Sequence, residues 1–281
     1  MDKRILLGNN AQFIRRPFCE FVEAQKEGGI TDVELTLQAP HFYVDSEEYH
    51  DVSGEKAQLA EAGIAVHSVI PLPYRYAICA DEGTIQQEKT VGYYRQCILL
   101  AEELGAKYLL ITGSGANYDY DYARLMDNAE KTLRVLADFA GDHGVTLLLG
   151  SVLGEECIFN ATTPVLVSME EIREMLDRVG SSHLKAYLDT EVISLRGETI
   201  SGWFGCFGSD IRLVRFVDGN YNGYRIWGMG CLPCRKYLDE VDRTGYEGAL
   251  ALTIPGERYI DDPAAAMGRN LQVLRQVMGQ V

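Results

Sequence analysis

The chain has 281 residues, 47% of them hydrophobic, which is enough for one large core and fits a single domain spanning residues 1–281. Its 26 Lys and Arg against 41 Asp and Glu leave a formal charge of −15, which repels phosphate backbones and anionic headgroups and argues against nucleic-acid or membrane partners. The opening MDKRILLGNN carries too short an apolar run for a signal peptide, and no stretch reaches the roughly 18 apolar residues of a membrane span, so a cytoplasmic protein is expected. Seven scattered cysteines fit a reducing compartment better than a disulfide framework.

In chain order, a short β-rich run, a loop and an amphipathic segment recur about eight times. Strands are predicted at Arg4–Leu7, Asp32–Leu37, Ala65–Val69, Tyr108–Thr112, Val145–Leu149, Lys185–Leu188, Arg212–Val217 and Ala249–Ile254. Between them Phe18–Gly28, Gly54–Glu61, Thr84–Leu104, Tyr122–Gly141, Ser168–Val179, Leu232–Thr244 and Pro263–Met278 read as helices; in the third, Ile98, Ala101 and Leu104 share one face. Gly63, Gly105, Gly144 and Gly245 each stand just before a predicted strand, where a glycine ends a helix. The Gly-rich, aromatic stretch from Arg196 to Asp210 leaves its element open.

This alternation predicts an α/β fold, a (β/α)₈ TIM barrel. A doubly wound open sheet is the rival, but Gly8-Asn9-Asn10-Ala11-Gln12 follows the first strand where a phosphate-binding glycine turn belongs. The nucleophile elbow, the P-loop and the His-Glu-x-x-His pair are all missing, so hydrolase and kinase readings gain no support. Cys231-Leu232-Pro233-Cys234 has the spacing of a metal or redox pair, yet Pro233 in a first helical turn reads as a plain helix start.

Several short motifs then fall in a familiar order. They are Thr31-Asp32-Val33-Glu34-Leu35 with Ala39-Pro40-His41, Ala101-Glu102-Glu103-Leu104-Gly105-Ala106, Asn160-Ala161-Thr162, Leu188-Asp189-Thr190, Val217-Asp218, Gly228-Met229-Gly230 and Gly245-Tyr246-Glu247-Gly248. In order and spacing over about 250 residues the chain resembles the xylose-isomerase-like TIM-barrel sugar isomerases and epimerases, closest in pattern to fructoselysine 3-epimerase and related ketose 3-epimerases. The resemblance implies a divalent metal, often manganese, held at the carboxyl ends of strands five to eight by Glu, Asp, His and Glu. It also implies two carboxylates that shuttle a proton through an enediol-like intermediate.

Carried over residue by residue, the resemblance places the strand-five Glu at Gly150, the strand-seven His at Arg215 and the strand-eight Glu at Thr253, so that Asp189 alone keeps its type. A cationic Arg215 opposes a metal, and no metal or other cofactor is expected. Asp189 and Arg215 are expected to pair, and Arg215 is also a candidate to grip a carboxylate or phosphate. Asp189, Glu156 and His67 are the candidate catalytic groups, with Glu155 beside Glu156 as a further acid or base. Asn10, His41, Asp218 and Trp227 join Arg215 as candidate ligand-binding residues. Asn10, His67, Asp189, Arg215 and Thr253 are expected together at the carboxyl-end mouth. The rings of Tyr118, Tyr120, Tyr122, Trp203, Phe204 and Phe207 suit a sugar-stacking wall, a lid or a subunit contact.

Two functions stay open at this point. One is a pseudoenzyme-like barrel that binds a small sugar derivative or acts as a partner subunit, in a homo- or hetero-oligomer. The other is an active isomerase or epimerase using relocated carboxylate and His groups.

Overall fold

The computed structural model describes residues 4–71, 76–113, 116–117, 121–151, 162–163, 165–220, 222–254 and 256–279. Eight parallel strands close a barrel: β1 (Ile5–Asn9), β2 (Asp32–Leu37), β3 (Ala65–Pro71), β4 (Tyr108–Thr112), β5 (Thr146–Gly150), β6 (Leu184–Asp189), β7 (Ile211–Arg215) and β8 (Ala249–Ala251), with β8 pairing back onto β1. Around them run α1 (Phe18–Glu27), α2 (Ser53–Ala62), α3 (Ile85–Leu104), α4 (Tyr122–Asp142), α5 (Met169–Val179), α6 (Thr190–Leu195), α7 (Ile200–Phe207), α8 (Cys234–Arg243), α9 (Gly256–Tyr259) and α10 (Pro263–Met278). Among the described residues no helix is long and apolar enough to cross a membrane.

Local chemistry explains the punctuation. The side chains of Thr84, Asp121 and Ser168 accept the N–H groups of Gln87, Arg124 and Glu171, which starts α3, α4 and α5. Glu171 reaches back to the Ser168 N–H and completes a capping box. At the other ends Gly63, Gly105, Gly144 and Gly245 lie at φ of 69°, 74°, 69° and 72°, a left-handed region that penalises a Cβ, and each releases the chain into the next strand.

The stretch left open, Arg196 to Asp210, holds α7. Thr199 caps it by accepting the Gly202 N–H, and Trp203 and Phe207, four apart, both point into the core. Two strands are shorter than expected. β7 stops at Arg215 because Asp218–Asn220 folds into an antiparallel hairpin with Gly223–Arg225, and β8 stops at Ala251. α8 begins at Cys234, next to Pro233, as a plain helix start; burial pushes the Cys234 thiol up to about 12. Tyr118 and Tyr120 lie outside the described residues, whereas Trp203 and Phe207 are buried and do not line a mouth.

The core has two shells. The outer one fills the space between strands and helices, and the inner one, inside the barrel, stacks Leu7, Ile70, Leu110, Leu148, Tyr187, Leu213, Ala249 and Ala251. Because side chains alternate along a strand, the residue two places after each inner one must also face inward. That rule carries Leu7 to Asn9, Leu148 to Gly150, Tyr187 to Asp189, Leu213 to Arg215 and Ala251 to Thr253, all at the carboxyl ends.

Candidate functional site

The register levels these residues into one layer. Asn9 sits opposite Glu34 and Asp189 opposite Arg215, so Glu34 joins the same polar ring. Glu34 is fully buried, and only 3% of Asp189 and 6% of Arg215 is exposed. Charges this deep need partners, since a bare buried ion costs several kcal/mol.

The partners are one another. Arg215 Nη1 lies 3.4 Å from Asp189 Oδ2, and its Nε lies 3.4 Å from Glu34 Oε1. The Tyr224 hydroxyl, supplied by the hairpin after β7, donates to Asp189 Oδ2 at 2.8 Å, and the Arg215 guanidinium carbon stands 5.5 Å from that ring's centre. Asp189 Oδ1 accepts the N–H groups of Glu191 and Val192 at 3.0 and 3.2 Å, which makes it the cap of α6 as well. Glu34 Oε1 accepts from Thr253 Oγ1 at 2.7 Å and Asn9 Nδ2 at 3.2 Å. Glu34 Oε2 and Arg215 Nε have no hydrogen-bond partner among the described residues.

Burial raises the Asp189 carboxyl above its usual range, against the pull of Arg215 and Tyr224. Burial works against the Arg215 charge too, but the facing Tyr224, Glu34 and Asp189 outweigh it and raise its pKa. Burial, with Asp189 alongside, holds the Tyr224 phenol neutral. The expected Asp189–Arg215 pair is therefore present, within a larger cluster. The expected grip of Arg215 on an anionic ligand meets an obstacle, because this cation already faces two carboxylates.

The residues present do not fit the divalent metal that the resemblance implies. Gly150 offers no donor and has no room for one, since a Cβ there would stand 2.2 Å from the Tyr187 ring. Thr253 is bound to Glu34, and Arg215 stands where the resemblance places the His. Among the described residues no group of three His, Cys, Asp or Glu side chains is arranged to hold a metal ion.

His67 is a correction. It was expected at the mouth but sits at the opposite end of the barrel, because β3 starts lower than its neighbour: Ser68, one residue further on, pairs with Tyr108, the first residue of β4. Its ring packs on Tyr108 at 5.2 Å, and burial pushes its pKa down to about 4.

Four further candidates are tied into the scaffold by hydrogen bonds. Asn10 Oδ1 accepts the Thr36 N–H at 2.7 Å, and its Nδ2 lies 3.3 Å from His41 Nδ1. His41 Nε2 donates to the Arg16 carbonyl at 2.8 Å, so both ring nitrogens are engaged, and burial lowers its pKa. Asp218 accepts four backbone N–H groups, those of Gly219, Gly228, Gly230 and Leu232, and so closes the loop carrying Met229. Trp227 is 2% exposed, stacks on Phe216 at 4.6 Å and donates its indole N–H to the Phe216 carbonyl. Glu155 and Glu156 lie outside the described residues.

Sequence reading missed Glu34, Asn9, Tyr187 and Tyr224 as members of the site. For the first three a signal existed: Glu34 stands between the outward Val33 and Leu35, and the other two follow the same parity. Tyr224 had none, since its contact depends on how the hairpin folds back.

A closed (β/α)₈ barrel with a buried polar ring at the carboxyl ends of its strands defines the class. The chain belongs to the xylose isomerase-like TIM barrel family, whose profile matches residues 22–277. It is 23% identical over 260 residues to fructoselysine 3-epimerase of Shigella flexneri, covering 90% of each chain. It is 25% identical over 277 residues to a putative hydroxypyruvate isomerase of Streptomyces coelicolor, covering 94% of each. Among solved structures, 3-keto-D-glucoside 4-epimerase from E. coli superposes with a TM-score of 0.78 at 14% identity, over 97% of this chain and 99% of that one. D-allulose 3-epimerase from Methylomonas sp. in complex with D-allulose gives 0.77 at 15% identity, over 98% of each.

Proposed function

We propose that this single-domain member of the sugar isomerase and epimerase family binds a neutral sugar or sugar derivative at the carboxyl-end mouth without a catalytic divalent metal, as a binding or partner subunit. One observation carries the reading: Arg215 lies between Glu34 and Asp189 in the place where the resemblance implies a metal. A single positive charge there faces two negative ones, so the ring has no surplus cation to attract a carboxylate or phosphate. Hydroxyl groups, which both donate and accept, suit such a ring better than an anion does. Both oxygens of Asp189 are engaged, by Tyr224, Arg215 and the N–H groups that start α6, which disfavours it as a free base for a carbon-bound proton; Glu34 is held through Oε1 alone.

The test uses chelator-treated protein in deuterated buffer, with D-allulose, D-tagatose and fructoselysine followed by NMR. The expected result is saturation transfer to at least one sugar with no deuterium entering at carbon. Deuterium entering at carbon at an enzymatic rate would instead establish an active isomerase or epimerase, using relocated groups such as Asp189 or Glu156.

A further inference from the structure

The barrel's other end holds a second opening. A cavity of about 800 Å³ is lined by Ile5, Tyr108, Ile211 and Ala249, which are the first residues of β1, β4, β7 and β8, and it is roofed by α7 and the turn after α8. It lies opposite the Asp189–Arg215 ring, and its volume falls in the range of small-molecule sites.

Its lining is rich in donors. Arg212 and Arg243 both reach it, and among the described residues neither guanidinium pairs with a carboxylate; Arg243 Nε donates only to the Asp239 carbonyl at 3.0 Å. Ser201 and Ser209 add hydroxyls, and Glu247 is the one carboxylate among the described lining residues. His67 Nδ1 is buried without a partner, and an orphaned buried N–H is the costlier choice, so the ring proton is assigned to Nε2. Two aromatic pairs, Phe204 with Tyr246 at 5.3 Å and His67 with Tyr108 at 5.2 Å, form an apolar wall beside these donors.

We propose that this cavity is a second ligand site, taking a phosphate monoester carried on a ring, such as a sugar phosphate or a mononucleotide. Forked guanidinium donors match the phosphate oxygens, and the aromatic wall covers the ring. The site is independent of the ligand at the mouth. Arg212 and Arg243 are exposed, so their replacement leaves the fold intact.

Calorimetric titration of the full chain decides the matter, with glucose 6-phosphate and adenosine monophosphate set against glucose, adenosine and inorganic phosphate. At least one phosphorylated probe binds at one equivalent and at least about tenfold more tightly than its unphosphorylated counterpart and than inorganic phosphate, and which of the two does so separates a sugar body from a nucleoside body. Arg212→Gln and Arg243→Gln each weaken that binding about tenfold or more, with melting temperatures unchanged. The proposal is overturned if neither probe outcompetes its unphosphorylated counterpart, or if binding survives in the double Arg212→Gln, Arg243→Gln variant. Equal affinity for inorganic phosphate would overturn the ring-borne class.

Discussion

Strand β7 carries an arginine at each end, and the two live in opposite worlds. Arg215, at the carboxyl end, is 6% exposed and lies between two carboxylates; Arg212, three residues earlier, is exposed and pairs with none among the described residues. The same residue type thus does different work according to what surrounds it. A buried, matched arginine fixes the geometry of its neighbours and has little charge left for a ligand, whereas an exposed, unmatched one contributes little to folding and is free to bind. Barrel enzymes place their chemistry at the carboxyl face, so a donor-lined cavity at the amino face stands apart from the catalytic tradition of the fold.

If this contrast holds, Arg215→Ala has the largest effect. It leaves Glu34 and Asp189 buried and unpaired, and the expected loss is about 3–5 kcal/mol of unfolding free energy in urea titrations. A loss below about 1 kcal/mol would mean that the cluster is hydrated and open.

His67 gives the next effect, through pH. Its pKa in the folded chain is about 4 against an unfolded value of 6.5, so between these values the unfolded chain binds more protons. Stability is therefore full above about pH 6.5, falls as the pH drops towards 4 and levels off below that, by at most about 3 kcal/mol. In His67→Gln this contribution to the slope disappears; an unchanged slope would place the responsible group elsewhere.

Gly150→Ala sharpens the comparison at the mouth. The added methyl meets the Tyr187 ring, and overpacking of this kind costs about 1–3 kcal/mol. A neutral result would show that Tyr187 can withdraw and that a side-chain donor can be fitted at position 150. The smallest effect belongs to Arg212→Gln, whose unfolding free energy is expected to stay within about 0.5 kcal/mol of the parent.

Much of the barrel was legible in the sequence because its signals are local. The glycines at left-handed φ and the capping side chains of Thr84 and Ser168 set the boundaries, and β-branched and aliphatic runs between them can only be strands of a buried sheet. Asp189 and Arg215 were legible through the motif resemblance, which set both at the carboxyl ends of their strands. What was not legible depended on offsets between strands. His67 was placed at the mouth because β3 was read as ending at Val69, whereas it runs to Pro71 and begins below the level of β4. Glu34 carried an alternation signal for an inward side chain, but its level in the ring depends on the register of β1 against β2. Asp218 and Trp227 looked available because their partners, the N–H groups of residues 228–232 and the Phe216 carbonyl, are brought to them by the hairpin and not by sequence spacing.

The proposed reading turns on an arginine standing where the resemblance implies a metal. Manganese titration of chelator-treated protein, followed by the electron paramagnetic resonance of free Mn²⁺ and by elemental analysis after gel filtration, tests it most directly. The expected result is less than 0.1 equivalent of manganese retained, roughly, and a free-ion signal that rises linearly from the first addition, since tight binding requires several oxygen or nitrogen ligands. Retention of one equivalent, lost on Asp189→Ala, would contradict the claim and return the mouth to metal-dependent chemistry.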